Sequence, residues 1–260
     1  MKRRDFLTAT GLAAAGTLGR IGRAESKTRQ SQREYYELRA YRLKSADRQK
    51  LVLGYLKAAA VPALNRIGIE PVGVFTVLEP DSPDLYVLLV HRSLESVVAA
   101  SRLIAFDPDY RKAAAGVLDA PKSDPAYERI ESSLMLAFEA IPRLEIPTKA
   151  ESRIFQLRIY ESHNSLAAKK KVEMFNTGGE IAIFRKAAMN PVFFGESLIG
   201  PKLPNLTYML GFDDMAAKEK AWNKFRQDPD WNKLKEDPYY KDTVSNVTNI
   251  LLRPASCSQI

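Results

Sequence analysis

The chain has 260 residues, 45% of them hydrophobic, enough for a sizeable core in one large or two small domains. Its formal charge of +8 does not indicate nucleic-acid binding: five basic residues and one acid fall in residues 1–24, and beyond them Lys and Arg are scattered among Asp and Glu. One cysteine, Cys257, excludes an internal disulfide and reads as a passive residue in a frayed tail, and two histidines at unrelated places, His91 and His163, make no zinc signature.

Residues 1–24 read as a targeting segment. Arg3-Arg4-Asp5-Phe6-Leu7 resembles the twin-arginine export motif, and residues 8–18 are too short and too mildly apolar to span a bilayer. Gly22-Arg23-Ala24 ends in a small residue suited to cleavage after Ala24. The expectation is an exported, periplasmic protein handled by the twin-arginine machinery, with no membrane span in its mature form and no nucleic-acid partner. That route carries folded chains, which suits a cofactor or a homo-oligomer and identifies neither, so the cofactor stays unassigned.

After a polar linker, residues 25–33, the chain writes a phrase that recurs. Tyr36-Glu37-Leu38-Arg39-Ala40-Tyr41 alternates with period two and predicts a strand. Ser45 or Asp47 caps a helix over 48–66, with Leu51, Tyr55, Ala59 and Leu64 at helical spacing, and Gly68 ends it. Strands follow at 72–78 and 85–91, separated by a turn at 79–83. Ser93 caps a helix to about 105, Asp107-Pro108-Asp109 starts another, and 130–138 is a fourth strand. Pro142 and Pro147 mark a linker. The second copy opens with Phe155-Gln156-Leu157-Arg158-Ile159-Tyr160. Its strands are expected at 153–161, 192–199, 206–212 and 245–252, and its helices at 165–189, interrupted by Gly178-Gly179, and at 215–235. Lys169-Lys170-Lys171 reads as a solvated helix face.

The landmarks keep one order and nearly one spacing. Tyr41 and Tyr160 lie 119 residues apart, Pro71 and Pro191 120, and Asp107 and Asp228 121. Asp124 and Asp237 lie 113 apart, which places a short extra loop in the first copy around 116–123. Such a period is a duplicated domain rather than a solenoid unit. Each copy runs β-α-β-β-α-β, the ferredoxin-like order. The predicted class is α+β: two tandem ferredoxin-like domains, 33–142 and 152–254, packed as a pseudo-twofold dimeric α+β barrel whose apposed sheet faces bury each other.

Strand parity supplies the candidate site. With Leu38, Ala40, Leu157 and Ile159 assigned to the helix-covered face, Glu37, Arg39 and Tyr41 and their counterparts Gln156, Arg158 and Tyr160 face the interior between the lobes. Two buried arginines need partners. They hold either a small anionic ligand, with the tyrosines as donors, or a paired network, Glu37 to Arg39, that glues the lobes together. His91, whose counterpart is Phe212, suits a general base or a haem ligand, against an inert reading; His163 reads as a surface turn residue. Met174, Phe175, Tyr55, Tyr208 and Met209 at these spacings are more often core than pocket. Nothing matches a Ser-His-Asp triad, a phosphate loop or a dinucleotide fingerprint.

The paired phrases Glu37-Leu38-Arg39-Ala40-Tyr41 and Gln156-Leu157-Arg158-Ile159-Tyr160, with Asp107-Pro108-Asp109-Tyr110 and Asp228-Pro229-Asp230-Trp231, resemble the NIPSNAP family of the dimeric α+β barrel group. The resemblance covers essentially all of the chain after residue 24. It implies paired domains of poorly defined biochemical role. Links of some members to vesicle or mitochondrial quality control fit poorly with a bacterial-type export signal. The wider barrel group includes cofactor-free monooxygenases, haem enzymes and ligand binders, so the fold does not choose the function. Three readings follow: small-molecule binding or self-assembly through the interlobe barrel, a small-molecule monooxygenase using the interlobe cavity, and a structural module for another exported protein.

Overall fold

The structure, a computed structural model, describes residues 33–79 and 82–260. The targeting segment, and Pro80 and Asp81 of the expected turn, lie outside the described residues.

Lobe 1 comprises β1 (Tyr35–Arg42), α1 (Ala46–Tyr55), a π turn (Leu56–Ala60), α2 (Val61–Arg66), β2 (Val72–Val77), β3 (Leu85–His91), α3 (Leu94–Ala105), α4 (Pro108–Leu118) and β4 (Arg129–Ala137). Lobe 2 repeats the order with β5 (Ile154–Glu161), α5 (Ser165–Asn176), α6 (Glu180–Lys186), β6 (Asn190–Ile199), β7 (Asn205–Phe212), α7 (Met215–Gln227), α8 (Pro229–Lys235), a 3₁₀ turn (Pro238–Tyr240) and β8 (Asn246–Pro254). Short polar side chains start these helices: Ser45, Ser93 and Asp107 in lobe 1, and Asn164, Asp214 and Asp228 in lobe 2, accept first-turn amides. The long first helix of lobe 1 passes Pro62, which has no N–H to donate. The widened π turn ahead of it, where Val61 N–H reaches back to Leu56, makes room for the proline ring. In lobe 2 the corresponding helix breaks at Gly179, at φ +86°. The extra residues of the first copy are not simply a loop: α4 has 11 residues where α8 has 7, and Gly116 lies within α4.

The eight strands close into one barrel, β1-β3-β2-β8-β5-β7-β6-β4. Each lobe contributes a four-stranded antiparallel sheet, and two seams join them, β2 with β8 and β4 with β6. At the second seam Gly195 is required by close approach, because a Cβ there would stand 2.8 Å from the Met135 Cβ. The barrel is lined with apolar side chains of both lobes, among them Tyr36, Leu38, Phe75, Met135, Phe155, Leu157 and Phe193. Separate cores lie between each sheet and its helices: Val52, Leu56, Leu64, Leu89 and Ile104 in lobe 1, and an aromatic cluster around Phe175, Phe184, Phe194 and Tyr208 in lobe 2.

This packing overturns the parity reading. Tyr36, Leu38 and Ala40 face the barrel interior, while Glu37, Arg39 and Tyr41 face the helices; the same inversion holds for Leu157 and Ile159 against Gln156, Arg158 and Tyr160. The lumen of an eight-stranded barrel is just wide enough for side chains to fill, and apolar and aromatic side chains of both lobes fill it. The long polar ones lie under the helix layer, whose rim is open to solvent. Both faces of the sheet are buried, so alternation alone could not tell them apart.

The C-terminal tail is docked rather than frayed. Ala255 N–H donates to Val74 O at 2.8 Å and Gln259 N–H to Val72 O at 2.9 Å, while Val72 N–H donates to Gln259 Oε1 at 2.7 Å and Val74 N–H to Ser258 Oγ at 3.0 Å. The β2–β8 ladder covers only Phe75 to Val77, and the tail satisfies the edge groups left over. Ile260 ends buried in the barrel core, and Cys257 packs half-buried against the lobe 1 core. Among the described residues no helix is long and apolar enough to cross a membrane.

Candidate functional site

The seven candidate residues fall into two separate places, one beneath the helices of each lobe. In lobe 1, β1 presents Glu37 and Arg39 side by side. Arg39 Nε donates to Glu37 Oε1 at 2.7 Å and Nη2 to Oε2 at 2.9 Å, a fork that matches both carboxylate oxygens. Ser132, opposite Arg39 on β4, donates its hydroxyl to Glu37 Oε1 at 2.8 Å. His91 is fully buried; its Nδ1 lies 2.9 Å from Ser96 Oγ and its Nε2 3.7 Å from Glu37 Oε2. Tyr41 is buried edge-on to Tyr127. The Glu37–Arg39 pair exists, but inside one lobe, so it does not join the two.

Burial alone would raise the pKa of Glu37, yet the contacts from His91, Arg39 and Ser132 outweigh it and bring it down to about 2. An acid depressed on folding contributes stability that is complete above its unfolded value, near 4.5, and disappears as pH falls through about 2. The expected loss across that window is up to about 3 kcal/mol. Urea unfolding from pH 6 to pH 2 should therefore show a steep acid limb that flattens in Glu37→Gln; an unchanged limb would place the acid sensitivity elsewhere.

In lobe 2, Gln156 stands where Glu37 stands in lobe 1, and its amide is spent. It accepts from Trp222 Nε1 at 2.6 Å and donates to Asn249 Oδ1 at 2.7 Å. Arg158 therefore has no neighbouring carboxylate, and none lies within 4.0 Å of it among the described residues. Its guanidinium carbon lies 4.9 Å from the centre of the Trp222 ring and 5.3 Å from that of Tyr160, which fixes the cation by its faces. Its Nε is buried without a partner. Tyr160 accepts from the Tyr208 hydroxyl at 3.0 Å. Above Arg158 opens a cleft of about 520 Å³, lined by Gln156, Asn249 and Trp222 with Lys218, Arg226 and Glu219 from α7. Three basic groups against one acid make it a site for a negative charge.

Of the residues missed by sequence reasoning, Lys218, Trp222 and Arg226 recur every four positions, so their shared helix face was available to inspection. Asn249 was not, because only the β5–β8 register sets it opposite Arg158. Lys171 corrects the solvated reading of the lysine run. It is buried with its Nζ 2.6 Å from Glu180 Oε2 and 4.5 Å from the centre of the Phe175 ring. The signal was its spacing from Ala167 and Phe175, which puts it on the inner face of α5. His163 is exposed, and Met174, Phe175, Tyr208 and Met209 are core. Between the lobes, the barrel leaves a cavity of about 100 Å³ at the mouth near Arg42, Glu131 and Lys202, and none of the seven candidates lines it. No group of three or more His, Cys, Asp or Glu able to hold a metal occurs among the described residues.

The NIPSNAP family model matches residues 36–139 and 155–259, one match per lobe. No curated protein matches the sequence. A candidate monooxygenase from Fusobacterium nucleatum superposes with a TM-score of 0.56 at 8% identity, covering 86% of this chain and 93% of that one. One from Lactobacillus acidophilus gives 0.55 at 12%, covering 85% and 94%. An uncharacterized NIPSNAP-like domain protein from Burkholderia xenovorans is 21% identical over 41% of this chain and 88% of its own, with a TM-score of 0.37. The two longer likenesses agree with the two-lobed barrel and carry no chemistry at such identity.

Proposed function

The chain belongs to the NIPSNAP family, and on that footing we propose that it is an exported protein that binds a small anionic molecule in the lobe 2 cleft. The carrying observation is Arg158: a half-buried guanidinium stacked on Trp222 and Tyr160, with no carboxylate beside it, at the floor of a basic cleft. Its twin Arg39 is neutralised by Glu37, so the duplicated residue has been left available in one lobe only. A planar ligand with a carboxylate or phosphate suits the site, because the guanidinium fork reads the oxyanion while Trp222 offers a ring beside it. Export rests on Arg3-Arg4-Asp5-Phe6-Leu7.

Trp222 provides the test. Protein recovered from outside the cytoplasmic membrane should begin at Glu25, and benzoate or phenyl phosphate should quench its Trp222 fluorescence. Arg158→Ala should weaken that binding by about 10–100-fold, the worth of a charge-assisted hydrogen bond. Trp222→Phe should remove the signal and leave Trp231 as the remaining tryptophan. Undiminished quenching in Arg158→Ala would end the reading.

A further inference from the structure

Anion binding in lobe 2 leaves a second constellation in lobe 1 unexplained. Ser96 lies half-buried in the first turn of α3, its Oγ 2.9 Å from His91 Nδ1. The other ring nitrogen of His91 has no hydrogen-bond partner and stands 3.7 Å from the Glu37 carboxylate, beyond hydrogen-bond distance. That carboxylate is itself fixed by Arg39 and Ser132. An anion beside Nε2 favours the tautomer with its proton there, which leaves the lone pair of Nδ1 facing the Ser96 hydroxyl. A hydroxyl, an imidazole able to take its proton, and an anion behind the imidazole are the parts of an activated nucleophile.

The sister lobe serves as an internal control. The helix caps Ser93 and Asp214 set the alignment, and buried Ala100 and Ile104 of α3 then fall on buried Ala221 and Phe225 of α7. In that alignment Ser96 meets Ala217, His91 meets Phe212, and Glu37 meets Gln156. Arginine and tyrosine are kept in both lobes, at 39 and 158 and at 41 and 160. The fold therefore packs without the serine, the histidine and the acid, and all three occur together in one lobe.

We propose that Ser96, His91 and Glu37 form a nucleophile site for hydrolysis of small esters. Ser96 Oγ adds to the ester carbonyl while its proton passes to His91 Nδ1. The tetrahedral adduct collapses with cleavage of the C–O bond, and the departing alkoxide takes the proton from His91. Water then attacks the acyl-Ser96 ester, with His91 again taking and returning a proton, to release the carboxylic acid and regenerate the hydroxyl. Glu37 is a positioning residue that stabilises the imidazolium.

The full mature chain should be treated with diisopropyl fluorophosphate and mapped by peptide mass, and p-nitrophenyl acetate hydrolysis followed in parallel. The expected result is one adduct on Ser96 in the wild type and in Ser101→Ala, a change on the exposed face of the same helix. Ser96→Ala should abolish the adduct, and His91→Phe should slow labelling by about 100-fold, the low end of general-base effects. Glu37→Gln should lower kcat for p-nitrophenyl acetate with KM little changed, because the imidazolium formed during acylation loses the carboxylate that stabilises it. The changes at Ser96, His91 and Glu37 each install the residue that lobe 2 carries at the matching position, and retained Trp222 quenching would report an intact lobe 2. Absence of an adduct on Ser96, or equal labelling in His91→Phe, would overturn the proposal without touching the anion site.

Discussion

Replacing Phe175 with alanine should cost the folded state about 3–5 kcal/mol, the range for emptying a buried aromatic site. Phe175 is fully buried at the centre of the lobe 2 core, and its ring lies 5.2–6.2 Å from those of Phe138, Phe194, Tyr160, Tyr208 and Phe184. Those rings are anchored on β5, β6, β7, α6 and the segment after β4, so they cannot all move inward to fill the space. The cavity term therefore adds to the lost transfer energy, and tilted ring contacts worth about 0.5–1.5 kcal/mol each disappear with it. The urea midpoint should fall with an unchanged slope. A loss under about 1.5 kcal/mol would mean that the cluster collapses freely, against the close packing described here.

Glu180→Ala should be comparably severe, about 3–5 kcal/mol, for an electrostatic reason. Glu180 is 2% exposed, and burial raises its pKa, opposed by the Lys171 ammonium 2.6 Å away and by the more distant Arg158. Removing the carboxylate leaves Lys171 enclosed by Phe175, Trp231, Tyr160 and the Met174 sulfur, with cation–π and sulfur contacts but no counter-charge. Removing both charges should be far milder. Lys171→Met with Glu180→Leu should recover most of the loss, because two well-packed apolar side chains avoid the desolvation that the ion pair only offsets. A double-mutant cycle in denaturant gives the coupling directly. Additive single losses would show that the two groups do not depend on each other.

Much of the architecture was legible before any coordinate. The strand phrases, the Ser45 and Ser93 caps, the Gly178-Gly179 break and the Asp107-Pro108 helix start are local signals, and each marks an element that forms where expected. The candidate site was legible only as a set of residues. Arg158 and Gln156 line a cleft, but Arg39 and Glu37 form a separate buried pair in the other lobe. Ser96 carried no motif because its base lies five residues upstream and its acid on a distant strand that only folding brings alongside.

By itself the sequence determined the duplication, the element order and the class of fold, because periodicity, capping and turn chemistry act over a few residues and the repeat states them twice. Tertiary structure decided which face of each strand meets the helices. It also decided that the lumen is filled rather than open, that Lys171 is buried, and that the tail docks on β2. The physical reason is common to all four. A sheet buried on both faces, a lysine beside a hidden carboxylate and an edge strand short of partners are each settled by what lies opposite in space, and alternation along the chain carries no record of that.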